Sequence, residues 1–249
     1  RDENLTSWPR KPEVIQMILS DYYALITHLD SQIAKIIQTL KDNGQYENTI
    51  IVYAADNGLA VGSHGLLGKQ SLYEHSMKVP LIIKGPGVPE AKEFDAFAYI
   101  HDLYPTLAEL AGIPQREDLD GKSLVKVLSG EQEQVRASLF TAYRNTVRAV
   151  RDQKWKLIRY PERDFTQLFD LENDPEEIRN LADQEQYQSK KNQMMDLLRA
   201  EQKSVGDTIS LKAAVLKQLE YNPDTLKRKP DQWQPEYILK RYFSDLAGN

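Results

Sequence analysis

The sequence contains no cysteine in its 249 residues. That excludes disulfides, thiolate metal sites and a cysteine nucleophile within this chain, and it leaves the redox compartment open. Histidine is scarce, with four copies, so each one stands out as a titratable or ligating group. No apolar run approaches the ~20 residues of a membrane span, and no transmembrane segment is expected. No secretory leader opens the chain. That counts for little, because Arg1 is not an initiator methionine and a longer parent protein is expected. Positive charge is in deficit: 32 Lys and Arg against 37 Asp and Glu give a net charge of −5. No nucleic-acid partner is expected, since that usually takes a basic face. An anionic small substrate would need a locally positive or metal-bearing pocket. The sequon Asn4-Leu5-Thr6 is too common by chance to assign a compartment.

What is present is ordinary globular composition, 41% apolar and 28% charged. A chain of this length can bury one substantial core, or a core with a satellite subdomain. Residues 12 to 42 read as one helix, because Ile15, Leu19, Tyr22, Ile26, Leu29, Ile33, Ile37 and Leu40 form a stripe at three- and four-residue spacing. Pro12 suits its first turn and Gly44 lies just past its end. "NTIIVYAA" and "KVPLIIKGPG" read as short strands apolar enough for burial on both faces. "DLYPTLAELAGIP" is a short helix stopped by Gly112 and Pro114. This order predicts an α/β unit with a largely parallel sheet.

From about residue 136 the texture changes. "TVRAVRDQKWKLIRY" predicts an antiparallel hairpin turning at Asp152-Gln153. "TQLFDLENDPEEIRNLA" adds a strand followed by a turn through Asn173-Asp174-Pro175. Residues 184 to 219 are polar and helical in pattern, and the last thirty, with Pro223, Pro230 and Pro235, are expected to wrap over the surface. There is no internal repeat and no low-complexity segment. We expect an α/β domain over 1–135 and a small antiparallel-sheet α+β subdomain over 136–249.

Chemistry concentrates in "VYAADNGLAVGSHGLLGK", residues 52 to 69. Asp56 and Asn57 fall at the carboxyl end of a strand, where ligands bind in open α/β sheets. A carboxylate and an amide oxygen suit Ca²⁺ or Mg²⁺ better than a soft metal. Asp-Asn-Gly is equally good turn chemistry, so these residues alone leave both readings open. A loop lysine such as Lys69 is usually solvated, and His64 or His75 taken singly is more often a surface residue than a catalyst. Their convergence within about twenty residues beyond one strand points to a metal-assisted site for an anionic ester. The basic hairpin residues Arg144, Arg148, Arg151, Lys154, Lys156 and Arg159, interleaved with Tyr143 and Trp155, suggest either a solvated strand face or a contact for an anionic ligand.

"TIIVYAADNGLAVGSHGLLGKQSLYEHSMKVPLIIKGPG" closely resembles the C-terminal half of the sulfatase family, within the alkaline-phosphatase-like superfamily. The likeness continues in "YYALITHLDSQIAKIIQTLKDNGQYENT", "HDLYPTLAELAGIPQREDLDGKSLVKVLSG" and "WKLIRY…QLFDLENDPEEIRNLA", covering roughly residues 12 to 185 in order. It implies a mixed α/β sheet flanked by helices, followed by a small domain of antiparallel strands packed on a C-terminal helix. It also implies hydrolysis of sulfate esters with one divalent cation, commonly calcium. Position by position, Asp56 and Asn57 match two metal ligands, and Lys69 matches the lysine that contacts the sulfate and stabilises the leaving oxygen. His64 matches the histidine of a Gly-x-His-Gly loop in many glycan sulfatases, a pocket residue of unassigned role. His75 occupies a variable position and is a candidate substrate contact, and for a sulfatase the ligand of the basic hairpin would be a sulfated glycan.

The resemblance has one large gap. The family nucleophile is a formylglycine made from the first residue of a Cys- or Ser-x-Pro-Ser-Arg motif, and no such motif occurs here. The missing N-terminal half of the same protein is therefore the expected partner, and this chain alone is expected to be inactive. Without that half, exposed strand edges are expected to drive oligomerisation or aggregation. Sulfated substrates imply a periplasmic, extracellular or lysosomal location. The alternatives are a phosphatase, phosphodiesterase or phosphonate hydrolase of the same superfamily, or a non-catalytic glycan-binding homologue. Two-zinc relatives tend to place Asp-His where this chain has Asp56-Asn57, so Asn57 favours the single hard cation.

Overall fold

The computed structural model describes Thr6, residues 10–212 and residues 235–243. Helix α1 spans Pro12–Asp42, with the prolyl residue in the first turn. A left-handed Gly44 follows it, φ 65°. The predicted stripe is the sheltered side of α1, yet none of its 31 residues is buried. Ile26 and Leu29 are 42% and 46% exposed.

Strands β1 (Ile51–Ala54) and β2 (Leu81–Lys84) pair with each other, but antiparallel, Val52 facing Ile83 and Tyr53 facing Ile82. The parallel arrangement is thus corrected for these two strands. A parallel return needs a crossover element packed on the sheet. Between β1 and β2 the chain forms only irregular loop, a 3₁₀ turn and the one-turn helix α2 (Glu74–Met77), so it runs out and comes straight back. Burial on both faces is corrected as well: Tyr53 and Ile82 lie on one open face, 38% and 61% exposed. Helices α3 (Leu103–Leu110) and α4 (Val125–Leu128) follow. The first ends before the left-handed Gly112.

The second sheet is a four-stranded antiparallel meander of β3 (Leu139–Tyr143), β4 (Val147–Arg151), β5 (Trp155–Tyr160) and β6 (Phe165–Asp170), in that order. The β4–β5 hairpin and β6 follow the sequence pattern. Strand β3, which opens the sheet, has no counterpart in the pattern read above. Helix α5 (Gln188–Ser204) covers one face. Its Met194 and Leu198 join Val150, Leu157, Leu168 and Ala182 in one core cluster. On the opposite face Leu72 joins Ala149, Ile158 and Phe169, with Tyr73 and Met77 packed beside them. The loop between β1 and β2 therefore rides on the small sheet, and the central strands β4 and β5 are buried on both sides.

That two-sided burial decides the basic hairpin. Arg148, Lys156 and Arg159 are only 3%, 2% and 6% exposed, so these side chains do not form a solvated face. Arg148 pairs with Asp207 at 2.5 Å, Arg151 with Glu74, Lys154 with Glu172, and Arg159 with Asp164. Arg144, at a left-handed turn position, is the exposed member. The hairpin's cations are thus largely committed to internal ion pairs, which removes most of a glycan-contacting face. Of the predicted tail, residues 213–234 and 244–249 lie outside the described residues. Helix α6 (Glu236–Tyr242) returns to α1 through Arg241 and Asp21, 2.6 Å apart.

Candidate functional site

Asp56 and Asn57 leave the end of β1 into a tightly closed loop. Ala60 N–H donates to Gly68 O at 3.0 Å and Gly62 N–H to Leu66 O at 2.7 Å, so residues 60–68 close on themselves. Ala60 and Leu67 anchor this closure, 4% and 2% exposed. The turn needs left-handed backbone at Val61, Gly62, His64 and Gly65, with φ of 42°, 107°, 54° and 69°. Glycine adopts that region without cost, whereas a β-branched valine does not, so Val61 stores strain beside the candidate site. Gly62 has a second reason to lack a side chain: a Cβ there would lie 2.6 Å from Ile15 Cγ2 of α1.

The structure ties the metal-type pair to the histidines through backbone. Gly58 N–H donates to Ser76 O at 3.0 Å, and a Cβ on Gly58 would lie 2.0 Å from His75 O. Asn57 spends its amide N–H on Gly58 O at 2.8 Å, which leaves the amide oxygen as its acceptor. Asp56 is exposed, and its carboxylate makes no hydrogen bond or ion pair among the described residues. Two hard oxygens at a strand end fit part of a divalent-cation shell. No group of three or more metal-type side chains converges among the described residues.

His64 lies flat on Tyr73, ring centroids 4.0 Å apart and planes at 8°, and the His75 ring is 5.7 Å from His64. Burial lowers the His64 pKa, with the Glu176 backbone and the Asp174 and Glu176 charges opposing it. Burial, then the neighbouring His64 and Lys156 charges, push His75 down to about 4, so it is neutral at physiological pH. Its ring nitrogens meet Ser76 Oγ at 3.1 Å and Ser71 Oγ at 3.4 Å. Lys69 stands exposed on the loop with no ion pair among the described residues. The fold therefore brings His64 and His75 together and links Asn57 to them. Lys69 shares their loop and makes no hydrogen bond or ion pair to either.

Several residues at this site carried no local sequence signal. The Tyr73 hydroxyl donates to Gln167 Oε1 at 3.1 Å. Glu74 N–H donates to Glu177 Oε2 at 2.6 Å, across a sequence separation of 103. Lys156 Nζ contacts Glu74 Oε1 at 2.9 Å and Glu177 Oε1 at 2.8 Å. Burial pushes the Glu177 carboxyl up, while Lys156 and the Glu74 amide pull it back down. The one available clue was a lysine inside the apolar strand "WKLIRY", which requires a buried carboxylate.

Comparison with known proteins gives the class first. Solved structures of the alkaline-phosphatase-like fold superpose on this chain. One, a protein in complex with its substrate D-glucosamine-2-N,6-O-disulfate, has TM-score 0.71 and 29% identity over 78% of this chain and 42% of that one. Another, a phosphonate monoester hydrolase from Silicibacter pomeroyi, has TM-score 0.73 and 26% identity over 81% and 44%. The family follows from sequence. Residues 62–204 match the family model described as N-sulphoglucosamine sulphohydrolase, C-terminal, and residues 2–113 match the model described as Sulfatase. An N-acetylglucosamine-6-O-sulfatase of Bacteroides thetaiotaomicron is 31% identical over 205 residues, 77% of this chain and 37% of that protein. The chain belongs to the sulfatase family and spans little more than a third of that relative's length.

Proposed function

We propose that these residues form the metal-and-lysine part of a sulfatase active site acting on sulfate esters of glycans or aryl sulfates. The observation that carries this reading is the Gly58 N–H to Ser76 O bond. It sets the residue after Asn57 against the residue after His75, whose ring lies 5.7 Å from the stacked His64.

In this reading the Asp56 carboxylate and the Asn57 amide oxygen would hold a hard divalent cation, because both donors are hard oxygens; the resemblance to the sulfatase family implies Ca²⁺, with Mg²⁺ as the alternative. When bound, such a cation polarises the ester and offsets charge on the sulfuryl oxygens. Lys69, exposed and without an ion pair among the described residues, donates to a sulfate oxygen and steadies the leaving oxygen as it gains charge. His64 and His75 line the substrate side and donate or accept hydrogen bonds as neutral imidazoles. No formylglycine precursor motif exists in these residues, so the nucleophile and the remaining metal ligands come from elsewhere in the protein, and this chain alone does not turn over. A sulfated substrate supports a location in the periplasm, the lysosome or outside the cell. No helix among the described residues is long and apolar enough to cross a membrane.

The phosphonate monoester hydrolase neighbour supports the second reading, since it shares the fold at comparable similarity. One experiment separates the two. The complete protein is assayed with aryl sulfate and with aryl phosphonate monoester, before and after chelation and Ca²⁺ restoration. Faster sulfate turnover that follows Ca²⁺ is expected. Faster phosphonate turnover would overturn the sulfatase reading.

A further inference from the structure

We propose that Lys156 and Glu177 are positioning residues: a buried charge bridge from the small sheet that holds the candidate site loop in register. The inference rests on the site reading above, but its structural basis is independent of it. Lys156 is 2% and Glu177 3% exposed, which is unusual for either residue type. Glu177 also adopts left-handed backbone at φ 56°. A strained, desolvated carboxylate persists only where its surroundings hold it there.

Both groups converge on Glu74, the first residue of α2. Glu177 receives the Glu74 backbone N–H at 2.6 Å, and Lys156 holds the Glu74 carboxylate at 2.9 Å. Arg151 takes the other Glu74 oxygen. Two residues close to Glu74 in the chain reach the site. On one side Tyr73, itself fixed to Gln167 of β6, carries the His64 ring. Two residues beyond Glu74, past His75, Ser76, 0% exposed, presents the carbonyl that receives Gly58 N–H beside Asn57. Fixing Glu74 therefore fixes both the imidazole pair and the oxygen pair. A hydrophobic replacement would fill the same space, often at no loss of stability. The bridge is thus explained by geometry better than by folding energy.

The test compares three forms of the protein expressed from its complete natural reading frame: the parent, Glu177→Gln, and the double variant Lys156→Met/Glu177→Met. The double variant removes both charges together, so no unpaired charge is left buried and the fold is retained. Glu177→Gln keeps an oxygen acceptor for Glu74 N–H. Two quantities are read: amide hydrogen exchange across residues 58–76, and the Ca²⁺ concentration giving half-maximal sulfate-ester turnover. The double variant should lose protection across 58–76, keep it in β4 and β5, and need about 10–100-fold more Ca²⁺. Glu177→Gln should stay close to the parent on both. Unchanged exchange at 58–76 in the double variant would overturn the proposal, as would a loss of protection spread evenly over β4 and β5. A parent that hydrolyses no sulfate ester would overturn the functional reading instead, and the exchange pattern would still decide the bridge.

Discussion

Gly58→Ala is the sharpest probe of how the site is built. The glycine is required here by close approach: an added methyl would lie 2.0 Å from His75 O, 3.0 Å from its carbonyl carbon and 3.5 Å from Ser76 Cα. The clashing atoms are backbone, so no rotamer change relieves them. The two strands of loop must separate by roughly an ångström, which breaks the Gly58 N–H to Ser76 O bond of 3.0 Å. Overpacking of this kind costs about 1–3 kcal/mol, and the lost hydrogen bond about 1 kcal/mol. The sum is about 2–4 kcal/mol, or roughly 4–16 °C in melting temperature for a chain of this size. Because Asn57 is the adjacent residue, its amide oxygen moves with the loop, and a displacement of that size costs about 10²-fold in rate. Gly44 provides the comparison: nothing lies within 4 Å of a Cβ there, so Gly44→Ala meets only its left-handed backbone, φ 65°. It should cost about 1 kcal/mol and leave turnover intact. The assay is thermal unfolding plus sulfate-ester turnover of the complete protein. A Gly58→Ala enzyme with the parent's melting temperature and rate would refute the reasoning.

Lys69→Ala should lower sulfate-ester turnover by about 10²–10³-fold with an unchanged melting temperature, because the exposed side chain makes no ion pair among the described residues; a rate within twofold of the parent would exclude the role assigned to it. His75 is pushed down to about 4 in the folded chain from an ordinary 6.5. Between those values the unfolded chain binds more protons than the folded one, so His75 favours folding fully above pH 6.5 and progressively less as pH falls toward 4. Melting temperature measured over that window should decline less steeply for His75→Gln than for the parent. Leu198 is 0% exposed in the core between α5 and the small sheet, so Leu198→Ala should cost about 2–5 kcal/mol, read by denaturant unfolding.

Part of this protein is written locally. The spacing of Ile15 through Leu40 sets the extent of α1, found at Pro12–Asp42. Gly112 closes α3, and Asp152-Gln153 sets the β4–β5 turn. Each depends on residues within a few turns of helix or one hairpin, where periodicity and turn chemistry suffice. The pairing of β1 with β2 did not follow, because a run of apolar residues fixes a strand but not its direction; the form of the connection between strands does. Burial of Arg148, Lys156 and Arg159 was equally illegible. A charged residue on a strand reads as solvated until its partner is known, and these partners arrive from elsewhere in the fold. For the site, Asp56, Asn57, His64 and Lys69 stand out in sequence because they crowd one loop. What holds that loop comes from 82 and 103 residues away, in Lys156 and Glu177. The sequence by itself determined the elements and the chemical groups. Only the tertiary structure decided which charges are buried and what fixes the loop, because both follow from sheet register and desolvation rather than from neighbours along the chain.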